Sequence, residues 1–183
     1  MRLQRNDTLL LVIDVQEKLM PVIDRAAQTE RNIERLVRGF HILDIPAILT
    51  EQYVRGLGPS TPAIKTAFEE SGGYTPIEKS CFSSYGCSEF LTELRNRRKK
   101  HVVIAGVETH VCVYQTVSDL LANGYDVTIA ADAVSSRTPE NRDIAIRRMT
   151  ADGARLSSTE MVLFELTVES GTDEFRSIAR LIK

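Results

Sequence analysis

The sequence predicts an α/β protein of three layers, a mainly parallel six-stranded sheet held between helices. Three observations predict it. The apolar runs are continuous instead of alternating, as in strands buried on both faces. They are separated by segments of helical periodicity, which gives the strand-helix-strand order of right-handed crossovers. Several runs also end on residues that carry chemistry, as strands do where their carboxyl ends border a ligand crevice. The 183 residues, 43% of them hydrophobic, suit one domain spanning 1–183 with one sizeable core. No linker, internal repeat or low-complexity tract divides them.

The first strand is Thr8-Leu9-Leu10-Leu11-Val12-Ile13, ending at Asp14. Ile33, Leu36, Val37, Phe40 and Leu43 follow at helical spacing, and a second strand, Ala47-Ile48-Leu49, stops at Thr50-Glu51-Gln52. Residues 53–60 read as a loop, after which Thr61-Pro62 forms an N-cap with proline in the first turn of a helix closed by Gly72-Gly73. Pro76-Ile77-Glu78-Lys79 is a short third strand. A helix over 89–97 leads to the fourth, His101-Val102-Val103-Ile104-Ala105, ending at Gly106. A helix starting at Cys112 is closed by Asn123-Gly124, Val127-Thr128-Ile129-Ala130 is the fifth strand, and Thr138-Pro139 opens a helix running towards Gly153. Ala154-Arg155-Leu156 is a short sixth strand.

Composition narrows the function. A formal charge of -2, from 23 basic and 25 acidic residues without single-sign blocks, is not the footprint of a nucleic-acid binder. No apolar stretch approaches a membrane span, and the charged start, Met-Arg-Leu-Gln-Arg, is unlike a signal peptide. Three cysteines, Cys81, Cys87 and Cys112, are an odd and sparse set that suits free thiols in the cytoplasm. A small-molecule partner is expected.

The strand ends collect Asp14, Glu51-Gln52-Tyr53, Lys79 and the 106–112 loop in one neighbourhood. A thiol is a strong nucleophile as thiolate, and needs a base or a nearby positive charge to become one. Asp14 can accept the proton of Cys112, and the Lys79 ammonium can stabilise the anion and hold the carboxylate. The start of a helix at Cys112 would favour negative charge further. Singly, each residue has a plainer reading: a turn acid, a surface lysine, a small buried hydrophobe.

Leu11-Val12-Ile13-Asp14-Val15-Gln16, Glu78-Lys79-Ser80-Cys81-Phe82-Ser83 and Gly106-Val107-Glu108-Thr109-His110-Val111-Cys112 together resemble the three signature stretches of the isochorismatase-like cysteine hydrolases. Leu49-Thr50-Glu51-Gln52-Tyr53, Gly56-Leu57-Gly58-Pro59 and Asp132-Ala133-Val134-Ser135-Ser136-Arg137 resemble isochorismatase-domain-containing proteins of unassigned substrate. The resemblance implies a Rossmann-like isochorismatase fold and a catalytic triad of Asp14, Lys79 and Cys112. It also implies a cis peptide between Val107 and Glu108, and an oxyanion hole formed by the backbone N–H groups of Glu108 and Cys112. The implied reaction is hydrolysis of an amide-like C–N bond through a Cys112 thioester, and the implied assembly is a homo-oligomer, from dimer to larger.

Gln16, Gln52, Tyr53, Leu57, Phe82, Tyr85 and Glu108 flank the strand ends and are expected to line the pocket. No cofactor and no metal are expected. Glu51-Gln52-Tyr53 stands where metal-binding nicotinamidases carry Asp-x-His, and His41, His101 and His110 have no metal-ligand spacing. Two rival readings remain: a redox-sensing or binding protein without catalysis, and an isochorismate-type ether hydrolase in which Cys112 is dispensable.

Overall fold

Leu9, Leu11 and Ile13 enter one hydrophobic core and Leu10 and Val12 another, because successive side chains of a strand point to opposite faces. The strand that carries them is therefore central and covered on both sides. The computed structural model describes residues 2–183. Strands β1 (Thr8–Ile13), β2 (Ala47–Gln52), β3 (Ile77–Lys79), β4 (His101–Val107), β5 (Asp126–Ser135) and β6 (Arg155–Ser157) form one sheet in the order β3-β2-β1-β4-β5-β6. Every pairing is parallel.

Eight α-helices lie among the described residues: α1 (Ala26–Ile42), α2 (Val54–Leu57), α3 (Pro62–Glu70), α4 (Ser88–Arg97), α5 (Tyr114–Ala122), α6 (Pro139–Ala151), α7 (Thr159–Thr167) and α8 (Asp173–Ile182). The core on one face joins Leu36 and Phe40 of α1, Ile64 of α3, Leu163 of α7 and Ile178 of α8. That on the other joins Phe90 and Leu94 of α4, Val117 and Leu120 of α5 and Met149 of α6. Three layers result.

Several elements differ from the sequence expectation, each for a physical reason. β5 runs to Ser135, well past the expected Ala130, because the ladder jumps from Ile104↔Ile129 to Gly106↔Val134. The bulge frees carbonyls, which side chains take up: Asn32 Nδ2 donates to Asp132 O at 2.8 Å, and Arg142 donates to Val134 O at 3.1 Å and to Ala131 O. The expected loop 53–60 contains α2. Helices α7 and α8 were not anticipated, although the Ser158 and Thr172 side chains cap them by accepting from Met161 N and Phe175 N. Thr138 caps α6 as expected. Thr61 precedes α3 but its hydroxyl makes no capping bond, being buried without a partner.

β1 is the pivot of the topology. The chain moves outward from it through β2 to β3, then returns to its other side as β4. This reversal lies between β1 and β4, where an open α/β sheet leaves its crevice. Close approach is enforced there by Gly106 at φ 125, since a Cβ at this position would sit 2.2 Å from Ile13 O.

Candidate active site

Asp14 follows the last residue of β1, Lys79 ends β3, and Cys112 lies in the connection from β4 to α5, so the three come from separate crossovers. The structure brings them together. Lys79 Nζ donates to Asp14 Oδ2 at 2.6 Å, with both side chains 0% exposed, and the Cys112 thiol lies close enough to both for their charges to act on it. Thr50 Oγ1 donates to Asp14 Oδ1 at 2.8 Å. Lys79 Nζ also meets Gln52 Oε1 at 2.8 Å, Phe82 O at 3.1 Å and Cys81 O at 3.3 Å. An ammonium carries three donors. Its surroundings are thus saturated with acceptors, and the charge is held in place instead of being solvated.

Cys112 does not open an α-helix, as expected from the sequence. It lies in a π-helical turn, Thr109–Val113, that precedes α5; such wide turns recur at functional sites. Glu108 O accepts from Val111 N at 3.0 Å and Val113 N at 3.2 Å, and Thr116 Oγ1 donates to Cys112 O at 2.7 Å. The Val107–Glu108 peptide is cis.

Burial works against the thiolate that Asp14 and Lys79 are expected to favour. Burial pushes the Cys112 thiol up to about 12; the neighbouring Asp14 carboxylate adds to the rise and Lys79 opposes it. Burial likewise raises Asp14, against the lowering effect of Lys79. Lys79 opposes the effect of burial at both groups. At rest the thiol keeps its proton.

Other expected site residues divide into two kinds. Tyr53 and Phe82 are 57% and 54% exposed, an uncovered aromatic rim on the β2–β3 side of the triad. Leu57 and Tyr85 are half-buried, Tyr85 against the α4–α5 core. Gln16, expected to line the pocket, is a fully buried brace: its Nε2 donates to Gln52 O at 2.9 Å and Gly58 O at 2.6 Å, and its Oε1 accepts from Gln52 N at 2.7 Å. Gln52 is a second brace, joining Lys79 to Ser80 O. Glu108 is 6% exposed and pairs through both oxygens with Arg137.

Sequence reasoning missed Thr50 and Arg137 as site residues. Thr50 directly precedes the inspected Glu51-Gln52-Tyr53 stretch, and Arg137 ends a motif already noted. Glu51, in the position considered for a metal ligand, has its Oε1 occupied by Ser60 N at 2.6 Å, Ser60 Oγ at 2.7 Å and the Tyr74 hydroxyl. Among the described residues no group of three or more His, Cys, Asp or Glu is arranged to hold a metal ion.

The family model of the isochorismatase domain matches residues 8–161. The chain belongs to the isochorismatase family. It is similar to a solved structure described as the MAR1 ribonuclease of Caenorhabditis elegans, with 35% identity, a TM-score of 0.89, and coverage of 100% of this chain and 92% of that one. It is similar to YcaC from Pseudomonas aeruginosa, solved with hexane-2,5-diol and covalent acrylamide, at 28% identity and TM-score 0.88, covering 99% and 95%. The YcaC gene product of Escherichia coli, described as an octameric hydrolase of unknown specificity, matches at 25% identity and TM-score 0.90, covering 98% and 90%. The isochorismatase-like chain thus shares its fold and its family with hydrolases. No described helix is long and apolar enough to cross a membrane.

Proposed function

We propose that this isochorismatase-family chain is a cysteine hydrolase that cleaves an amide-like C–N bond of a small molecule. The observation that carries the reading is the fully buried Asp14–Lys79 pair at 2.6 Å, with the Cys112 thiol beside it. Such a pair is costly to bury. Beside a lone nucleophile it supplies what the thiol lacks, a base whose charge is already compensated.

In the proposed reaction Asp14 accepts the Cys112 proton as the sulfur adds to the carbonyl carbon, so charge separates only with attack. The oxyanion forms near the backbone N–H groups of Glu108 and Cys112. Collapse breaks the C–N bond, and the amine leaves with the proton held by Asp14. Water then gives a proton to Asp14 and attacks the thioester, releasing the acid as the proton returns to sulfur. Lys79 holds the carboxylate in place throughout. Tyr53 and Phe82 supply an apolar wall for the substrate. The covalent acrylamide of the YcaC structure agrees with a reactive group in this fold.

The redox-sensor reading is weakened by the raised thiol pKa, because sensor cysteines are accessible and low in pKa, whereas Cys112 is 6% exposed. A nucleic-acid substrate fits poorly with a charge of -2. An oligomer that covers the exposed aromatic rim is proposed, in line with the octameric YcaC. A cytoplasmic location is proposed from the three free thiols.

The test is a screen of small amides for amine or ammonia release, with the acyl-enzyme trapped by acid quench and mass spectrometry. An adduct on Cys112 is expected, and Cys112→Ala should lose both adduct and turnover. Turnover retained by Cys112→Ala would overturn the covalent reading and favour an ether-type hydrolysis.

A further inference from the structure

Across the carboxyl edge of the sheet the order of strands places Lys79, Tyr53 and Phe82 on one side of Asp14, and Glu108 and Arg137 on the other. The two sides differ in chemistry. The first presents exposed rings. The second presents an ion pair: Arg137 Nε donates to Glu108 Oε1 at 2.9 Å and Arg137 Nη2 to Glu108 Oε2 at 3.2 Å.

The pair is lopsided. The Glu108 side chain is 8% exposed and the Arg137 side chain 63%. A guanidinium has five donors in a rigid plane, and Glu108 engages two nitrogens on one edge, so the remaining donors face solvent. The buried Glu108 carboxylate holds the guanidinium through two parallel bonds and so fixes the plane in which Arg137 presents its outer edge. Glu108 is also the residue whose carbonyl receives Val111 N and Val113 N in the turn of Cys112. Its side chain therefore ties the guanidinium to the turn that carries the thiol.

Resting on the hydrolase reading above, we propose that Arg137 is a specificity-determining residue that binds an anionic group, such as a carboxylate, on the substrate. The preferred substrate is then an amide of mixed character, its apolar part against Tyr53 and Phe82 and its anionic end on the free edge of Arg137. Planar bidentate recognition of a carboxylate is the geometry a tethered guanidinium supports best.

Iodoacetate and iodoacetamide, an anionic and a neutral alkylating agent of nearly equal size, test this at low ionic strength. The rate at Cys112 is read by mass spectrometry for the wild type, Arg137→Gln, Arg137→Lys and Glu108→Gln. Arg137→Gln is expected to lower the iodoacetate-to-iodoacetamide rate ratio about fivefold, with the iodoacetamide rate nearly unchanged. Arg137→Lys should keep most of the ratio, and Glu108→Gln should raise it. Opposite signs in two folded variants are not produced by a loosened loop. An unchanged ratio in Arg137→Gln, or equal changes with both reagents, would overturn the proposal. The hydrolase reading fails separately, through an iodoacetamide rate that is indifferent to Asp14→Asn and Lys79→Ala.

Discussion

Replacing Lys79 by methionine keeps most of the length of the side chain and removes the charge from the centre of the candidate site. Asp14 would be left at 0% side-chain exposure with Thr50 Oγ1 as donor to its other oxygen. Cys81 O, Phe82 O and Gln52 Oε1 would lose the ammonium they share. Breaking a buried pair from one side costs about 3 to 5 kcal/mol, a large part of the stability of a domain this size. Lys79→Met is thus expected to lose about 4 kcal/mol in urea denaturation at pH 7. The loss should shrink on acidification. Burial already raises Asp14 above its ordinary value of 3.8, and without Lys79 it rises further, so the native variant binds more protons than the unfolded chain and gains stability as pH falls through that raised pKa. Asp14→Asn/Lys79→Met removes both charges and should recover at least about 2 kcal/mol relative to Lys79→Met. A loss below about 1 kcal/mol, or a double variant no more stable than the single, would refute the reasoning.

Gly106→Ala is expected to cost about 4 kcal/mol or more by urea denaturation, since its Cβ would lie 2.2 Å from Ile13 O at φ 125; a cost under about 1 kcal/mol would mean that β1 and β4 separate easily. The Cys112 thiol, raised from 9.0 to about 12, stays protonated in the native state after the unfolded chain has lost its proton. Stability must therefore fall as pH rises through that window, by about 1 kcal/mol between pH 9 and 10 relative to Cys112→Ala. Parallel urea midpoints for the two proteins would expose a thiol that ionises without penalty.

Much of the architecture was legible because burial on both faces leaves an unbroken apolar run, and β1 and β4 are such runs. The termini of the runs were legible for the same reason, so Asp14 and Lys79 could be picked out as strand-end residues. Where tertiary contacts override local pattern, reading from sequence stopped short. The ten residues of β5 include a bulge whose freed carbonyls are satisfied by Asn32 and Arg142, far away in the chain or on the following helix. The short, largely apolar α7 and the amphipathic α8 were passed over although Ser158 and Thr172 offered capping signals.

By itself the sequence determined which residue types stand at the ends of which strands, and through the motif order, the family. Only the tertiary structure decided their states. Whether a thiol beside a carboxylate is an anion or a neutral acid depends on how much water reaches it, and burial of Cys112 puts the proton on sulfur until the carboxylate takes it. Whether Gln16 meets a ligand or braces the backbone depends on the approach of Gln52 and Gly58, set by the pairing of β1 with β2. Likewise Glu108 and Arg137, 29 positions apart, become partners because β4 and β5 are neighbours in the sheet. Local pattern encodes burial and periodicity; protonation and partnership are properties of the assembled space.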